Sequence, residues 1–360
     1  MSPSQVSLIV SEIVAAAKAY ENGDTNTRAS LIDLSHDLIA QLETPSQFLQ
    51  RTFWTEPSKA AICRITVDLG ILPLLRDAGE AGLTVEELAT KTRCDPGLLQ
   101  RLMAHLLALK ILTSNGSKIC GTILSDGLAK PEIQECIRWQ DDVSRPPFNQ
   151  LPSYFQTKGY VEPTSPTDCP LQHALKIKGS LYDWKDQTPP YDKFFGSLMA
   201  MYRAGQAEWF DSGFYPVRDR LIVGFDPRVS DVFLVDVGGN DGSDLTRFAE
   251  HYAGHPGRLI LQDLHPVVSL AADGTKKIPF QPQAHDFFEA QPIYGARAYF
   301  LQAILHNWEE EDCIKILENL KTALPDVVNI EAKFKNIESL TRKSAYGLAN
   351  LLFLYGLLDD

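Results

Sequence analysis

Apolar residues recur at helical spacing through the first third of the chain and in short unbroken runs through the last third. Val6, Ile9, Val10, Ile13 and Val14 share one helical face, so residues 1 to about 50 read as amphipathic helix. Ala60–Leu75 keeps that spacing until Gly82 breaks the chain. Thr84, with Glu87 three positions on, is a capping box that opens a short helix through Thr90. Asp95-Pro96 starts another helix with proline at its first position, and Leu98, Leu99, Leu102, Leu106 and Leu109 supply its apolar face. Ile111-Leu112, Asn115-Gly116 and Lys118–Cys120 then predict strand, turn and strand. Helix, turn, helix and hairpin in that order is a winged-helix arrangement.

In the last third, Val232–Val237, Arg258–Gln262, Ala296–Ile304 and Val327–Glu331 are runs of buried-strand type. Helical stretches, Asp244–Tyr252 and Glu311–Leu324, lie between them. The alternation predicts a doubly wound α/β fold: a parallel sheet with helices on both faces and ligands at the carboxyl ends of its strands. Between the two patterned regions, residues 131–225 are rich in aromatics, including Tyr154–Tyr160, Tyr182-Asp183-Trp184, Tyr202, Trp209-Phe210 and Phe214-Tyr215-Pro216. Aromatics at that density fill a core or interface, or line a pocket for a flat apolar ligand, and the sequence leaves both open. Three zones follow: 1–130, 131–225 and 226–360.

Composition narrows the partners. With 360 residues, 44% hydrophobic and 22% charged, the chain suits about two globular domains and is too apolar to be disordered. The longest apolar stretch, Leu351–Leu358, falls short of the roughly 20 residues a membrane-spanning helix needs. Met1–Tyr20 lacks a basic segment followed by an apolar block, so no secretion signal is expected. A net charge of −12 argues against binding a phosphate backbone. The helix Pro96–Lys110, where a winged helix would read DNA, offers only Arg101, His105 and Lys110, so dimer formation or packing is expected of it instead. Six scattered cysteines without a CxxC pair fit reduced thiols in the cytoplasm. No HExxH and no paired Cys/His set is present, so no metal is expected, and no G-x-S-x-G elbow supplies a nucleophilic serine.

The first strand of the last zone runs into Gly238-Gly239-Asn240-Asp241-Gly242, and glycines at a strand-to-helix turn let backbone approach a bound nucleoside. About twenty residues on, the second strand ends at Asp263, where a carboxylate suits the hydroxyls of a ribose. The turn does not fit G-x-G-x-x-G, so a mononucleoside suits it better than a dinucleotide. Asp286 and Phe287, an acid beside an aromatic at a third strand end, suit an adenine. His306 follows the fourth strand directly, at the sheet edge where ligands sit, and a side chain with a pKa near 6.5 takes a phenolic proton at neutral pH.

The series VDVGGNDG, LILQDL, HDFF and LQAILHNW resembles the caffeic-acid-type O-methyltransferases that use S-adenosylmethionine. The fungal branch of that family is the more similar, through MYRAGQAEWFDSGFYP and QPIYGARAYFLQAILHNW. The resemblance covers nearly the whole chain, and it makes the winged-helix region similar to that family's dimerisation domain. It implies a class I methyltransferase sheet, a homodimer and S-adenosylmethionine as cofactor. It places Asp236, Gly238, Gly239, Asp263, Leu264, Asp286, Phe287 and Gln302 at the cofactor, and His306 as general base with Glu331 positioning it. Tyr202, Trp209 and Asn307 are the candidates for the acceptor, expected to be a flat phenol or polyketide in an apolar pocket.

The chain departs from that family at three places. Asn240 stands where a third glycine is usual, and Asn307 where the residue after the histidine is Asp. The sequence also ends at Asp360, inside what resembles the helix after the fifth strand. The last strands of the sheet, and a further glutamate beside the histidine, are then missing. An edge left open in this way needs cover from a partner, from a helix over Tyr346–Leu358, or from sequence beyond this chain. Two further readings stay open: a repurposed enzyme of the same fold catalysing dehydration or pericyclic ring formation, and a non-catalytic homologue.

Overall fold

The structure, a computed structural model, describes residues 3–24, 27–161, 163, 165, 167–201, 208–211, 215–271, 277–308, 310–324, 328–329 and 351–356. The chain divides into two compact units, Met1–Gly205 and Gln206–Asp360, and the division falls inside the aromatic stretch.

In the first unit, helices Pro3–Glu21 and Thr27–Leu42 pack on one another. The helix expected over Ala60–Leu75 is two helices, Glu56–Asp68 and Ile71–Ala78. Gly70 takes φ 64° between them, a left-handed conformation that ends the first helix and re-aims the second. Ile71, Leu72 and Leu75 then bury against Leu88, Leu99, Leu102, Met103 and Leu106. The Thr84 hydroxyl accepts from the Glu87 N–H while the Glu87 carboxylate accepts from the Thr84 N–H, starting the helix Val85–Thr92. The Asp95 carboxylate accepts from the Leu98 N–H at 2.8 Å and starts the helix Pro96–Ala108. Strands β1 (Thr113–Asn115) and β2 (Lys118–Cys120) pair antiparallel around Gly116. Ile119 and Leu83 exchange two backbone hydrogen bonds, which ties the ribbon to the segment before Val85–Thr92. Many of the aromatics expected to pack or line a pocket build this unit's own interior. The Trp139 and Phe195 rings lie 5.0 Å apart, and the Tyr191 hydroxyl donates to Asp142, which also pairs with Arg64.

The second unit carries β3 (Val232–Val237), β4 (Arg258–Asp263), β5 (Gln281–Ala284), β6 (Ala298–Gln302), β7 (Val328–Asn329) and β8 (Leu351–Gly356) in the order β5-β4-β3-β6-β8-β7. The first four are parallel. Every residue of β3 is buried, as a strand covered on both faces must be. Leu234 packs with Leu245 and Phe248 of the helix Ser243–His251. Val235 and Val237 pack with Ile316 and Leu320 of the helix Glu310–Lys321 on the other face.

Two expectations are corrected here. Leu351–Gly356, read as part of a helix, is a strand antiparallel to β6, with Leu354 opposite Tyr299 and Leu351 opposite Gln302. Val328–Asn329 pairs antiparallel with β8 instead of lying parallel beside β6. A short apolar run carries no period that separates helix from strand, and β6 presents a row of N–H and C=O groups to pair. The edge expected to lie open is the one beyond the fifth strand; β8 instead enters the sheet between β6 and that strand, β7. Trp209 is the other correction. Expected at the acceptor, it is 1% exposed in the core of this unit, stacked on Phe248 at 5.2 Å and 6°.

Two side-chain donors, half-buried Arg297 and buried Tyr299, hold the sheet to its loops. The Arg297 guanidinium donates to the carbonyls of Arg220, Leu221 and Val223, closing the wide helical turn Arg218–Ile222. The Tyr299 hydroxyl donates to the Ile293 carbonyl at 2.5 Å, and burial pushes its pKa up to about 12, so it stays a donor at any working pH. Tyr299→Phe should strand that carbonyl, costing about 1–2 kcal/mol and lowering the thermal midpoint by roughly 3–6 °C. Scanning calorimetry of the two proteins measures it, and an unchanged midpoint would show that the bond adds nothing.

Candidate functional site

The carboxyl ends of β3, β4, β5 and β6 meet at the turn Gly238–Gly242. Its backbone is possible only with small residues. Gly238 and Gly242 both sit at φ 72°, and side chains added there would lie 2.5 Å from the Ile304 Cδ1 and 2.3 Å from the Phe280 ring, respectively. A Cβ on Gly239 would meet the Asp236 carboxylate and Leu261 at 2.5 Å. Asn240, the departure from three glycines, sits at φ 55°, a left-handed conformation that asparagine tolerates better than most residues. The turn is anchored to β4, because the Gln262 carbonyl accepts the N–H groups of Gly238 at 2.8 Å and Gly239 at 3.1 Å.

Asp263 ends β4 facing this turn. Its Oδ2 accepts the Asn240 N–H at 2.9 Å and its Oδ1 the Leu264 N–H at 2.7 Å. Burial raises its pKa above the ordinary carboxylate value, and those two amides pull against the rise. Asp236 is 1% exposed beside Gly239, Gln302 ends β6 half-buried, and Leu264, just past β4, is exposed. Past β5, the His285 N–H donates to the Asp263 carbonyl, and burial lowers the pKa of the His285 ring. Asp286 Oδ1 accepts the Phe288 N–H at 2.9 Å, which fixes the bend that turns Phe287 toward Gly238. The Trp308 ring sits edge-on to both Phe287 and Phe288.

The turn Leu305–Asn307 begins two residues after β6, past Ala303 and Ile304, and carries His306, whose side chain lies outside the described residues. The turn itself is held. Asn307 Nδ2 donates to the Ala303 carbonyl at 3.0 Å, and the Cys313 thiol donates to the Leu305 carbonyl. Asn307, expected at the acceptor, thus spends its amide on its own turn. Tyr202 and Glu331 lie outside the described residues. The structure therefore brings together Asp236, Gly238, Gly239, Asp263 and Phe287, while Trp209 packs in the core on Phe248 and Phe300. Sequence reasoning passed over Gln262 and Gln291, which are buried beneath the turn. A glutamine inside the apolar run Leu259-Ile260-Leu261-Gln262 was a signal for the first, and nothing marked the second.

Comparison with known proteins decides the family. An O-methyltransferase domain model matches residues 218–347, and an O-methyltransferase dimerisation domain model matches residues 59–122. The O-methyltransferase mpaG of Penicillium brevicompactum is 45% identical over 326 residues, 90% of this chain and 81% of that protein. The chain belongs to the O-methyltransferase family. The demethylsterigmatocystin 6-O-methyltransferase of Aspergillus parasiticus is 30% identical over 269 residues, 74% of this chain and 67% of that protein. Among solved structures, LepI in complex with SAM covers 98% of this chain and all of its own at a TM-score of 0.78 and 20% identity, which supports the fold alone.

This methyltransferase uses S-adenosylmethionine, and the turn passes a test of fit for it. The glycines let the turn pack closely on Ile304, Asp236 and Leu261 beside Asp263, and each Asp263 oxygen keeps a lone pair beyond its amide bond for a ribose hydroxyl. Among the described residues no cluster of His, Cys, Asp and Glu suits a metal ion, and no helix is long and apolar enough to cross a membrane.

Because ionised Asp263 is the better acceptor for ribose hydroxyls, affinity for S-adenosylhomocysteine should be full above its pKa and fall as pH drops through it. The raised pKa moves that fall above pH ~4, where an ordinary carboxylate would begin to lose charge. Calorimetric titration between pH 8 and 4 should show the fall in the native protein. Asp263→Asn should bind more weakly and lose that step. A native affinity constant down to pH 4 would refute the assignment.

Proposed function

We propose that the chain methylates a hydroxyl of a flat phenolic or polyketide-type secondary metabolite, with His306 as general base. The observation that carries this reading is the convergence of the glycine turn, Asp263 and Phe287 with the turn bearing His306, all at the carboxyl ends of adjacent strands. Gly238 and Gly239 present backbone to the nucleoside, Asp263 accepts from the ribose hydroxyls, and Asp286 with Phe287 holds the adenine. Asp236, Leu264 and Gln302 complete the surround. When bound, S-adenosylmethionine supplies a methyl group already activated by the sulfonium it sits on. What remains for the protein is to align the acceptor oxygen and remove its proton. His306 takes that proton, Glu331 orients the ring, and Tyr202 faces the acceptor. The names of the relatives, an O-methyltransferase mpaG and a demethylsterigmatocystin 6-O-methyltransferase, support a metabolite of this class.

The protein acts in the cytoplasm as a homodimer, with residues 1–130 forming the dimer, 131–225 the acceptor segment and 226–360 the cofactor domain. The dimerisation match supports the dimer, as do Leu8, Phe53 and Trp54, apolar residues left exposed in the single chain. Sedimentation equilibrium should read twice the chain mass, and a monomer at micromolar concentration would remove this part of the proposal.

Incubation with methyl-labelled S-adenosylmethionine and a panel of phenolic polyketides should transfer label to one of them. His306→Ala should cut the rate by about 10²–10⁴-fold while leaving S-adenosylhomocysteine affinity within about twofold. A variant that keeps its rate would remove His306 from the chemistry.

A further inference from the structure

We infer that a carboxamide cluster, the buried Gln262 and Gln291 with the half-buried Gln283, is a positioning device that sets the cofactor groups in register. The inference rests on the assignment of Asp263, Asp286 and Phe287 to the cofactor. Gln262 and Gln291 are 0% and 1% exposed, and they bond reciprocally: Gln262 Nε2 donates to Gln291 Oε1 at 2.8 Å, and Gln291 Nε2 donates to Gln262 Oε1 at 2.9 Å. The second Gln262 amide hydrogen goes to Gln283 Oε1 at 2.8 Å. Gln291 Oε1 also accepts the Ile293 N–H at 3.1 Å, and because that amide needs an acceptor, the orientation of the whole set is fixed.

Each member is tied to a different cofactor group. Gln262 is the residue whose carbonyl receives both glycine amides, and its neighbour in the chain is Asp263. Gln283 sits in β5, opposite Gln262, two residues before His285 and three before Asp286. The Gln291 N–H donates to the Asn319 carbonyl, and Asn319 Nδ2 donates to the Phe287 carbonyl. The glycine turn, the ribose carboxylate and the adenine-facing pair are thereby referred to one fixed point in a dry interior. There, a satisfied amide network holds a single geometry that apolar packing would allow to slip.

Removing one glutamine leaves its fully buried partner unsatisfied, whereas replacing both leaves only the half-buried Ile293 N–H and Gln283 side chain to find other partners. The double variant Gln262→Met with Gln291→Met therefore separates folding from positioning. Its thermal midpoint should stay within about 3 °C of the native protein, while its Kd for S-adenosylhomocysteine and its KM for S-adenosylmethionine rise about tenfold. At saturating cofactor, kcat and the acceptor KM should change by less than about twofold. A double variant with native Kd overturns the inference, as does one that loses kcat with cofactor KM unchanged. If the native protein itself binds no S-adenosylhomocysteine, the cofactor assignment and this inference fall together, a result distinct from native binding with an unaltered variant. Should the double variant not fold, Gln283→Met removes only the outer bond. It should weaken binding by about threefold, and a native Kd there overturns the inference as well.

Discussion

The carbonyl of Gln262 receives two amide hydrogens, from Gly238 and Gly239, and the carboxyl edge of the sheet depends on that one acceptor. Both bonds can form only if the chain turns back over β4 immediately after β3, which brings Gly239 within van der Waals limits of Asp236 and Leu261. No side chain fits there, so the glycines follow from packing before any ligand is considered. The same turn delivers the Asn240 N–H to Asp263, and the helix Ser243–His251 begins only three residues later. A carboxylate held by two backbone amides at a buried strand end is oriented in advance, which lowers the ordering cost of binding.

The second dependency runs through the loop from His285 to Ala296. It has little regular structure, yet it is fixed at three points: the Asp286 carboxylate on Phe288, the carboxamides of Gln262 and Gln291, and the Tyr299 hydroxyl on Ile293. The carboxamide bond is buried and the other two are partly so, and each would be costly to leave unmade. Trp308 closes the arrangement from the β6 side against Phe287 and Phe288. A loop is thereby given the rigidity of an element, as a site needs when an aromatic ring must present one face to a flat ligand.

Much of this was legible in the sequence because it was written in local signals. The capping box at Thr84, the Asp95-Pro96 start and the fully buried β3, apolar but for Asp236, each report a constraint satisfied within a few residues. The spacing from Gly242 to Asp263 reported a longer one, since a helix and a returning strand need about that much chain. What escaped was non-local. Trp209 reads as a pocket aromatic until Phe248, nearly forty residues on, is seen stacked against it. Gly70 was not distinguished from any other glycine, though its left-handed turn splits one expected helix into two. Leu351–Gly356 is apolar without a period, so its state was settled by the free edge of β6.

The sheet order keeps apart two of the histidines at the carboxyl edge, His285 and His306. His285 follows β5 and His306 follows β6, and β4 and β3 stand between those strands. At the usual strand spacing that is about 14 Å, far beyond the reach of one proton transfer. His285 is also committed by its backbone to Asp263, and burial lowers the pKa of its ring, which disfavours a positive charge beside Asp263 and Asp286. His306 sits on a short turn held by Asn307 and Cys313 and no longer part of the sheet ladder. An aspartate at position 307 would have no hydrogen to donate to the Ala303 carbonyl when ionised, whereas the amide does. The asparagine that departs from the family pattern therefore keeps the histidine's turn closed by its own means.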